Sequence, residues 1–272
     1  MTARRSTGGT EFDAEVYGKV HQRFLQAMLS RGAIAGKTEV KAVFKACMTA
    51  SGYELADETR SLSLAAEVVN KINRHCKNSG LDFCIDKCPS PYGLEPVYAL
   101  INTSNTESTR LLSRLKLEEA EMVKLVLAAI AESPEGSVST THALNLADQL
   151  KEKQDRQLKK TDAQILLHNL TAQRWLDEKD GILTVHPRCA KELAQYFKDY
   201  LNVPTCRICN HLVFKTVDST CEACGECTHS FCMRKYVKNS RLAYPKCPVD
   251  DCGARWNNHP VEAQSQTNND EE

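Results

Sequence analysis

Val16, Val20, Phe24 and Met28 recur every fourth position, with Tyr17, Leu25 and Leu29 beside them and Gly32 beyond. That spacing predicts one helix over 13–31 with a single buried face and a glycine stop. Val40, Val43, Phe44 and Cys47 predict a second helix over 38–49. Leu64, Val68, Val69 and Ile72 predict a third over 62–76. The period then drops to two. "LDFCIDK" alternates Leu81, Phe83 and Ile85, and "PVYALIN" alternates Val97, Ala99 and Ile101, with the turn-rich "CPSPYGLEP" between them. Two such runs around a turn predict a hairpin.

The same outline recurs downstream. Met122, Val123, Val126 and Ile130 mark a helix over 115–131, followed by the loop "ESPEGSVST" and a helix over 141–150. A third helix opens at Thr161, whose spacing to Gln164 is that of a capping box, and continues through Leu166, Leu167 and Leu170. "RWLDEKDGILTV" predicts two short strands around Asp180-Gly181, a pair suited to a tight turn. A last helix starts at Pro187 and buries Leu193, Tyr196, Phe197 and Leu201. Three helices and a hairpin, twice over, predict an α+β chain with two tandem winged-helix domains, 13–104 and 105–203. Residues 204–257 form a small cysteine-rich domain. Residues 1–12 and the acidic tail 258–272 read as disordered. The mixed-charge stretch 151–160 reads as a solvated connection and not as a DNA-reading face.

Composition narrows the function classes. Of the 272 residues, 42% are hydrophobic and 26% charged, with 35 basic against 35 acidic. A neutral chain has no global drive toward nucleic acid. No run of eighteen apolar residues predicts a membrane span, and the N-terminus lacks the apolar core of a signal peptide. A reducing compartment, cytosol or nucleus, is expected, and there thirteen cysteines argue for metal over disulfides. Cys47, Cys76, Cys84, Cys88 and Cys189 read as small buried residues.

The other eight cysteines fall between Cys206 and Cys252. Cys206-x2-Cys209, Cys221-x2-Cys224, His229-x2-Cys232 and Cys247-x4-Cys252 offer eight thiolate or imidazole ligands, enough for two closed tetrahedral zinc sites. The order, four cysteines, a histidine and three cysteines, is shared by PHD fingers and RING variants, both of which are cross-braced. A cross-brace assigns Cys206, Cys209, His229 and Cys232 to one zinc, and Cys221, Cys224, Cys247 and Cys252 to the other. Neither site closes until distant segments meet, so metal binding folds the domain. Cys227 competes with Cys224, which keeps the more regular gap before His229. His211 reads as an exposed bystander. A PHD finger carries a large aromatic two residues before its seventh ligand, where this chain has Pro245. A RING favours proline after the seventh ligand and an apolar residue between the first two, and Pro248 and Ile208 occupy those places. A two-zinc RING variant is the better reading.

Two winged-helix-like units ahead of this ligand order, together with "HQRFLQAMLSRGAI", "YALINT" and "CPVDDCGARW", resemble the non-SMC element one family, over roughly residues 13–257. This is the RING-bearing subunit of the structural-maintenance-of-chromosomes five/six complex. The resemblance implies a nuclear ubiquitin ligase acting in DNA repair. It implies a MAGE-family partner bound through the winged-helix region, a kleisin-type subunit, and DNA contacted through the complex. Ile208 and Pro248 carry over as contacts to a ubiquitin-conjugating enzyme, and no acid, base or nucleophile is needed. Strong RING ligases add a basic residue after the eighth ligand, where this chain has Gly253 with Arg255 two further on, so weak activity alone is expected. The alternatives are a non-catalytic brace in the same complex, a PHD-like chromatin reader and a DNA-binding winged-helix protein. Trp256 reads as packing under the zinc domain.

Overall fold

The computed structural model describes residues 12–30, 34–55, 57–92, 96–103, 115–154, 158–217, 219–240 and 245–256. The first unit runs α1 (Lys19–Ser30), β1 (Ile34–Ala35), α2 (Lys37–Ala50), α3 (Ser61–Asn78), β2 (Phe83–Cys88) and β3 (Val97–Asn102). The second repeats the order with α4 (Leu117–Glu132), β4 (Ser137–Ser139), α5 (Thr140–Gln154), α6 (Lys160–Ala172), β5 (Leu176–Lys179) and β6 (Ile182–Val185). Each sheet is antiparallel, with the last strand in the middle: β1-β3-β2 and β4-β6-β5. Then come α7 (Pro187–Glu192), α8 (Ala194–Asp199) and, in the cysteine-rich segment, α9 (Ser230–Ser240). Among the described residues, no helix is long and apolar enough to cross a membrane.

Val20, Phe24 and Met28 face inward against Phe44, Val68, Ile72 and Ile85. Val16 does not share that face. It precedes α1 and is 64% exposed, while Phe12, assigned by sequence to the N-terminal tail, is buried. Gly32 and the stretches 1–11, 155–157 and 257–272 lie outside the described residues. Ile85 and Ala99 are buried through the alternation of the β2–β3 hairpin, registered Phe83↔Asn102 to Cys88↔Val97. The outer edge of β2 is partly closed by a helix side chain. The Asn73 amide donates to Ile85 O (2.8 Å) and accepts from Ile85 N (2.8 Å), as a neighbouring strand would.

The second core gathers Met122, Val126 and Ile130 with Leu167, Leu183 and Phe197. Asp180 and Gly181 turn β5 into β6 with φ of 53° and 75°, the left-handed pair that a two-residue hairpin requires. Three details differ from the pattern reading. The helix α6 begins one residue early, with Lys159 as N-cap and no side-chain cap bond, so Thr161 is inside the helix and forms no capping box. The segment after Pro187 is two short helices broken at Leu193. The "SVS" of the predicted loop pairs with β6 as strand β4.

The two units are joined at the β2–β3 loop. The Tyr92 hydroxyl donates to Gly136 O (2.8 Å) and accepts from Val185 N (2.9 Å). Phe214 N donates to Pro91 O (3.3 Å), and Lys191 pairs with Asp86 at 2.9 Å. Leu212 and Phe214 belong to the second core, although the sequence boundary put them in the zinc segment. Phe214 stacks edge-on to Phe197 at 4.9 Å. Gly136, with φ 66°, passes directly beneath it, and a Cβ there would meet the Phe214 backbone at 2.7 Å. The cysteine-rich segment is therefore anchored through Leu212 and Phe214, near its start, in the body of the protein.

Candidate metal centre

Six of the eight candidate ligands sit on three similar turns, while His229 directly precedes α9 and Cys232 lies in its first turn. Each turn is closed by one antiparallel bridge: Thr205↔Leu212, Thr220↔Cys227 and Lys246↔Arg255. In each, the first cysteine's amide donates across the turn: Cys206 N to His211 O, Cys221 N to Glu226 O, and Cys247 N to Ala254 O. The residue after the second cysteine is left-handed in all three, Asn210 at φ 57°, Gly225 at 74° and Gly253 at 56°. That reversal lets two thiols on one short loop aim at one point, and Gly and Asn are the residues that adopt it most readily. The two extra residues of Cys247-x4-Cys252 are taken up in a tight turn in which Cys252 N donates to Val249 O at 3.1 Å.

The structure brings together two groups of four. The ligand atoms of Cys206, Cys209, His229 and Cys232 lie within 4.8 Å of one another, as do those of Cys221, Cys224, Cys247 and Cys252. In the first group, Cys209 Sγ is 3.3 Å and Cys232 Sγ 3.8 Å from His229 Nδ1. His229 Nε2 is 2.9 Å from Leu212 O. A carbonyl can only accept, so Nε2 carries a proton and donates it, which leaves Nδ1, aimed at the sulfurs, as the nitrogen that would bind a metal. In the second group, Cys221 Sγ–Cys252 Sγ is 3.8 Å and Cys224 Sγ–Cys247 Sγ is 3.7 Å. A tetrahedral ion about 2.3 Å from each sulfur sets sulfurs about 3.8 Å apart, so both groups have the shape for one ion each. The contacts are far too long for disulfides, whose sulfurs are about 2.05 Å apart, and every cysteine is free.

The thiols of each group, and the imidazole of the first, perturb one another strongly. Hydrogen bonds from Cys209 and Cys232 hold the Cys206 thiol far below its ordinary value, while Cys232 beside it is pushed up by the same contacts. Burial works against the charged His229 ring, but the Cys206 and Cys209 sulfurs outweigh it and raise the imidazole to about 10. Burial likewise raises Cys221, yet amides of Cys224 and Ala223 and the neighbouring thiols bring it down to about 7. Four crowded sulfurs cannot all be anionic without a positive centre. A divalent ion would supply that charge.

Cys227 stands apart from both groups. Its thiol lies 3.3 Å from Thr220 Oγ1 and packs with Val213 and Cys206, so Cys224, the exposed member, is the one placed for coordination. Trp256 is buried against Met233, Cys221 and Cys247. His211 is half-buried and not exposed, and it stands outside both groups, as the sequence reading had it. It lines a groove of about 510 Å³ with Ile208, Phe231 and the β2–β3 hairpin. Ile208 is 40% exposed and Phe231 45%, and Pro248 is half-buried on the other knuckle. The sequence offers Phe231 only as one of the few aromatics a chromatin reader could use, not as a groove residue. A Phe next to a ligand cysteine was the available signal.

Residues 21–193 match the family described as the Nse1 non-SMC component of the SMC5-6 complex. The chain belongs to the Nse1 family. Its family-matching residues stop short of the cysteine turns, but similarity to curated Nse1 relatives extends across most of the chain. The bovine non-structural maintenance of chromosomes element 1 homolog is 30% identical over 239 residues, covering 87% of this chain and 84% of that protein. The human homolog is 29% identical over the same shares, and that of Xenopus laevis 30% identical over 89% of this chain and 84% of its own. Among solved structures, a chain of an Nse1-Nse3-Nse4 complex superposes with TM-score 0.70 at 27% identity, covering 90% of this chain and 99% of that one. The Nse1 family resemblance read from the sequence is thereby shown.

Proposed function

We propose that this chain is a RING-type ubiquitin ligase subunit of an SMC5-6 complex, built from two winged helices and a zinc cross-brace. The carrying observation is the interleaved grouping of Cys206, Cys209, His229 and Cys232 against Cys221, Cys224, Cys247 and Cys252, with Ile208 exposed on the first turn. The strand order and the helix–strand–helix–helix–hairpin succession of both units support the winged-helix reading. Three cysteines with a histidine, and four cysteines, are donor sets that suit zinc. Zinc here is structural, since each group is closed and leaves no ligand position open for a substrate.

No acid, base or nucleophile is required of this chain. Ile208 and Pro248 hold a ubiquitin-charged conjugating enzyme so that its thioester is ordered for an acceptor lysine. The thioester bond to the enzyme cysteine breaks as the isopeptide bond to lysine forms. The rate gain comes from orientation. Gly253 occupies the place of the basic clamp, and its left-handed backbone gives the turn a reason to keep glycine there, so activity alone is weak. A MAGE-family partner bound through the winged-helix units raises it, and a kleisin-type subunit completes the set. Support comes from the similar solved chain, which belongs to an Nse1-Nse3-Nse4 complex. The setting is nuclear DNA repair, with DNA reached through the complex.

The test is ubiquitin discharge from a panel of charged conjugating enzymes, by the chain alone and with its MAGE-like partner, beside Cys221→Ser. Faster discharge that needs both partner and intact thiols is expected. No acceleration from a folded, two-zinc sample would leave the alternative, a non-catalytic brace.

A further inference from the structure

The groove beside Ile208 has walls from two different units. Ile208 and Phe231 line it from the cysteine-rich segment, and Lys87, Pro89 and Pro96 from the β2–β3 hairpin of the first unit. An isolated zinc domain would offer Ile208 on a face of its own, whereas here that residue, 40% exposed, shares an open groove of about 510 Å³ with the hairpin. The hairpin wall is held in place. Pro91 and Tyr92, two residues past Pro89 and Ser90, are hydrogen-bonded to Phe214, Gly136 and Val185, and Asp86 is paired with Lys191. Whatever docks at Ile208 through this groove also meets the hairpin.

The groove is also charged with one sign. Lys87 and Lys235 both line it, no Asp or Glu does among the described residues, and both lysines are exposed. An apolar patch with a lysine on each side fits an apolar loop flanked by carboxylates. We propose that the first unit's hairpin is the second wall of the conjugating-enzyme dock. Pro89 and Pro96 close on an apolar loop seated at Ile208 and Phe231, and Lys87 with Lys235 selects enzymes bearing acidic side chains next to that loop. The inference rests on the ligase reading, since it concerns the occupant of the same surface. It adds that the dock is composite and that an Nse1-type zinc domain cut from its body loses selectivity.

The experiment is an amide-shift titration of the full-length, zinc-loaded chain with uncharged conjugating enzymes, some acidic and some basic beside their docking loop. It is run on the unaltered chain, Lys87→Glu and Ile208→Ala. The expected result is that Lys87 and Ser90 amides shift together with Ile208 and Phe231 and saturate at the same concentration. Lys87→Glu should weaken an acidic-loop enzyme about 2- to 5-fold, the size of one solvent-facing charge contact, and favour a basic one. Shifts at Ile208 and Phe231 with silent hairpin amides, and no effect of Lys87→Glu, would overturn the composite dock and leave the ligase reading standing. No shift anywhere, with any enzyme, would overturn both.

Discussion

The two four-residue groups share a ligand geometry but differ in what holds them. The first is tied to the body of the protein. His229 donates to Leu212 O, and Leu212 and Phe214 belong to the second unit's core. Cys206 and His229 are almost wholly buried. The second group hangs from its own small cluster, Met233, Trp256 and their neighbours, and Cys224 is exposed. One ion would therefore stitch the cysteine-rich unit to the body, and the other would only close the outer turns. A cross-brace makes the two groups equal in topology without making them equal in energy.

The sharpest way to break that comparison is to remove one ligand from each group. His229→Ala takes a buried ring from the stitched site and strands three thiols and the Leu212 carbonyl. Because structural zinc affinity is folding free energy, its loss should cost more than about 3 kcal/mol, comparable to opening a buried charged pair. Zinc content by mass spectrometry should fall toward zero, with melting of the second unit's core. Cys224→Ser should release one ion and leave the first site and the body intact. Equal effects of the two would show that the sites are energetically one.

The stitch can also be attacked from the body side. Gly136→Ala puts a Cβ within 2.7 Å of the Phe214 backbone at a φ of 66°. Overpacking and left-handed strain together should cost about 2–4 kcal/mol, read as a lower melting temperature. A chelator should then strip the first ion as easily as the second. If first-site zinc stays as slow to leave as in the unaltered chain, the Phe214 strip does not support it.

The smallest effect concerns the outer turn alone. Gly253→Arg has room, since nothing lies within 4 Å of its Cβ, but it forces a side chain into the left-handed region at about 1 kcal/mol or slightly more. Ubiquitin discharge with the partner present should rise while the melting temperature falls by a few degrees. A fall in both would mean that the turn needs glycine more than the dock needs a cation.

These contrasts also mark what the sequence can reveal. Phe24, Phe44 and Ile72 in the first unit, and Met122, Val126 and Ile130 in the second, are legible because several turns of helix repeat one buried face. The β2–β3 and β5–β6 hairpins are legible through alternation and turn chemistry. The strands β1 and β4 are two and three residues long, too short to carry a period, and exist because a neighbouring strand offers backbone partners. The break at Leu193 is likewise invisible, since the apolar spacing runs through it. That Cys206 goes with Cys209, and Cys221 with Cys224, follows from spacing because a short loop can reach only one ion, while which pairs share an ion is legible only through the cross-brace order. That Leu212 and Phe214 serve the neighbouring core does not follow, because a two-residue apolar strip has no address. The walls of the Ile208 groove come from residues more than a hundred positions apart in the chain, and no local pattern joins them.

Tyr92 adds a matter of timing. Its hydroxyl is satisfied by residues 44 and 93 positions later in the chain. At ribosomal rates of about 5–20 residues per second, Val185 is polymerised roughly 5–20 s after Tyr92. Through that interval the first unit can fold its helices and lay its strands on them through Asn73 and Ile85, but Tyr92 in the loop lacks its partners. The β2–β3 loop is thus among the earliest segments made and among the last to find its place. A chaperone or an early-arriving subunit that meets the nascent chain would find that loop still uncommitted.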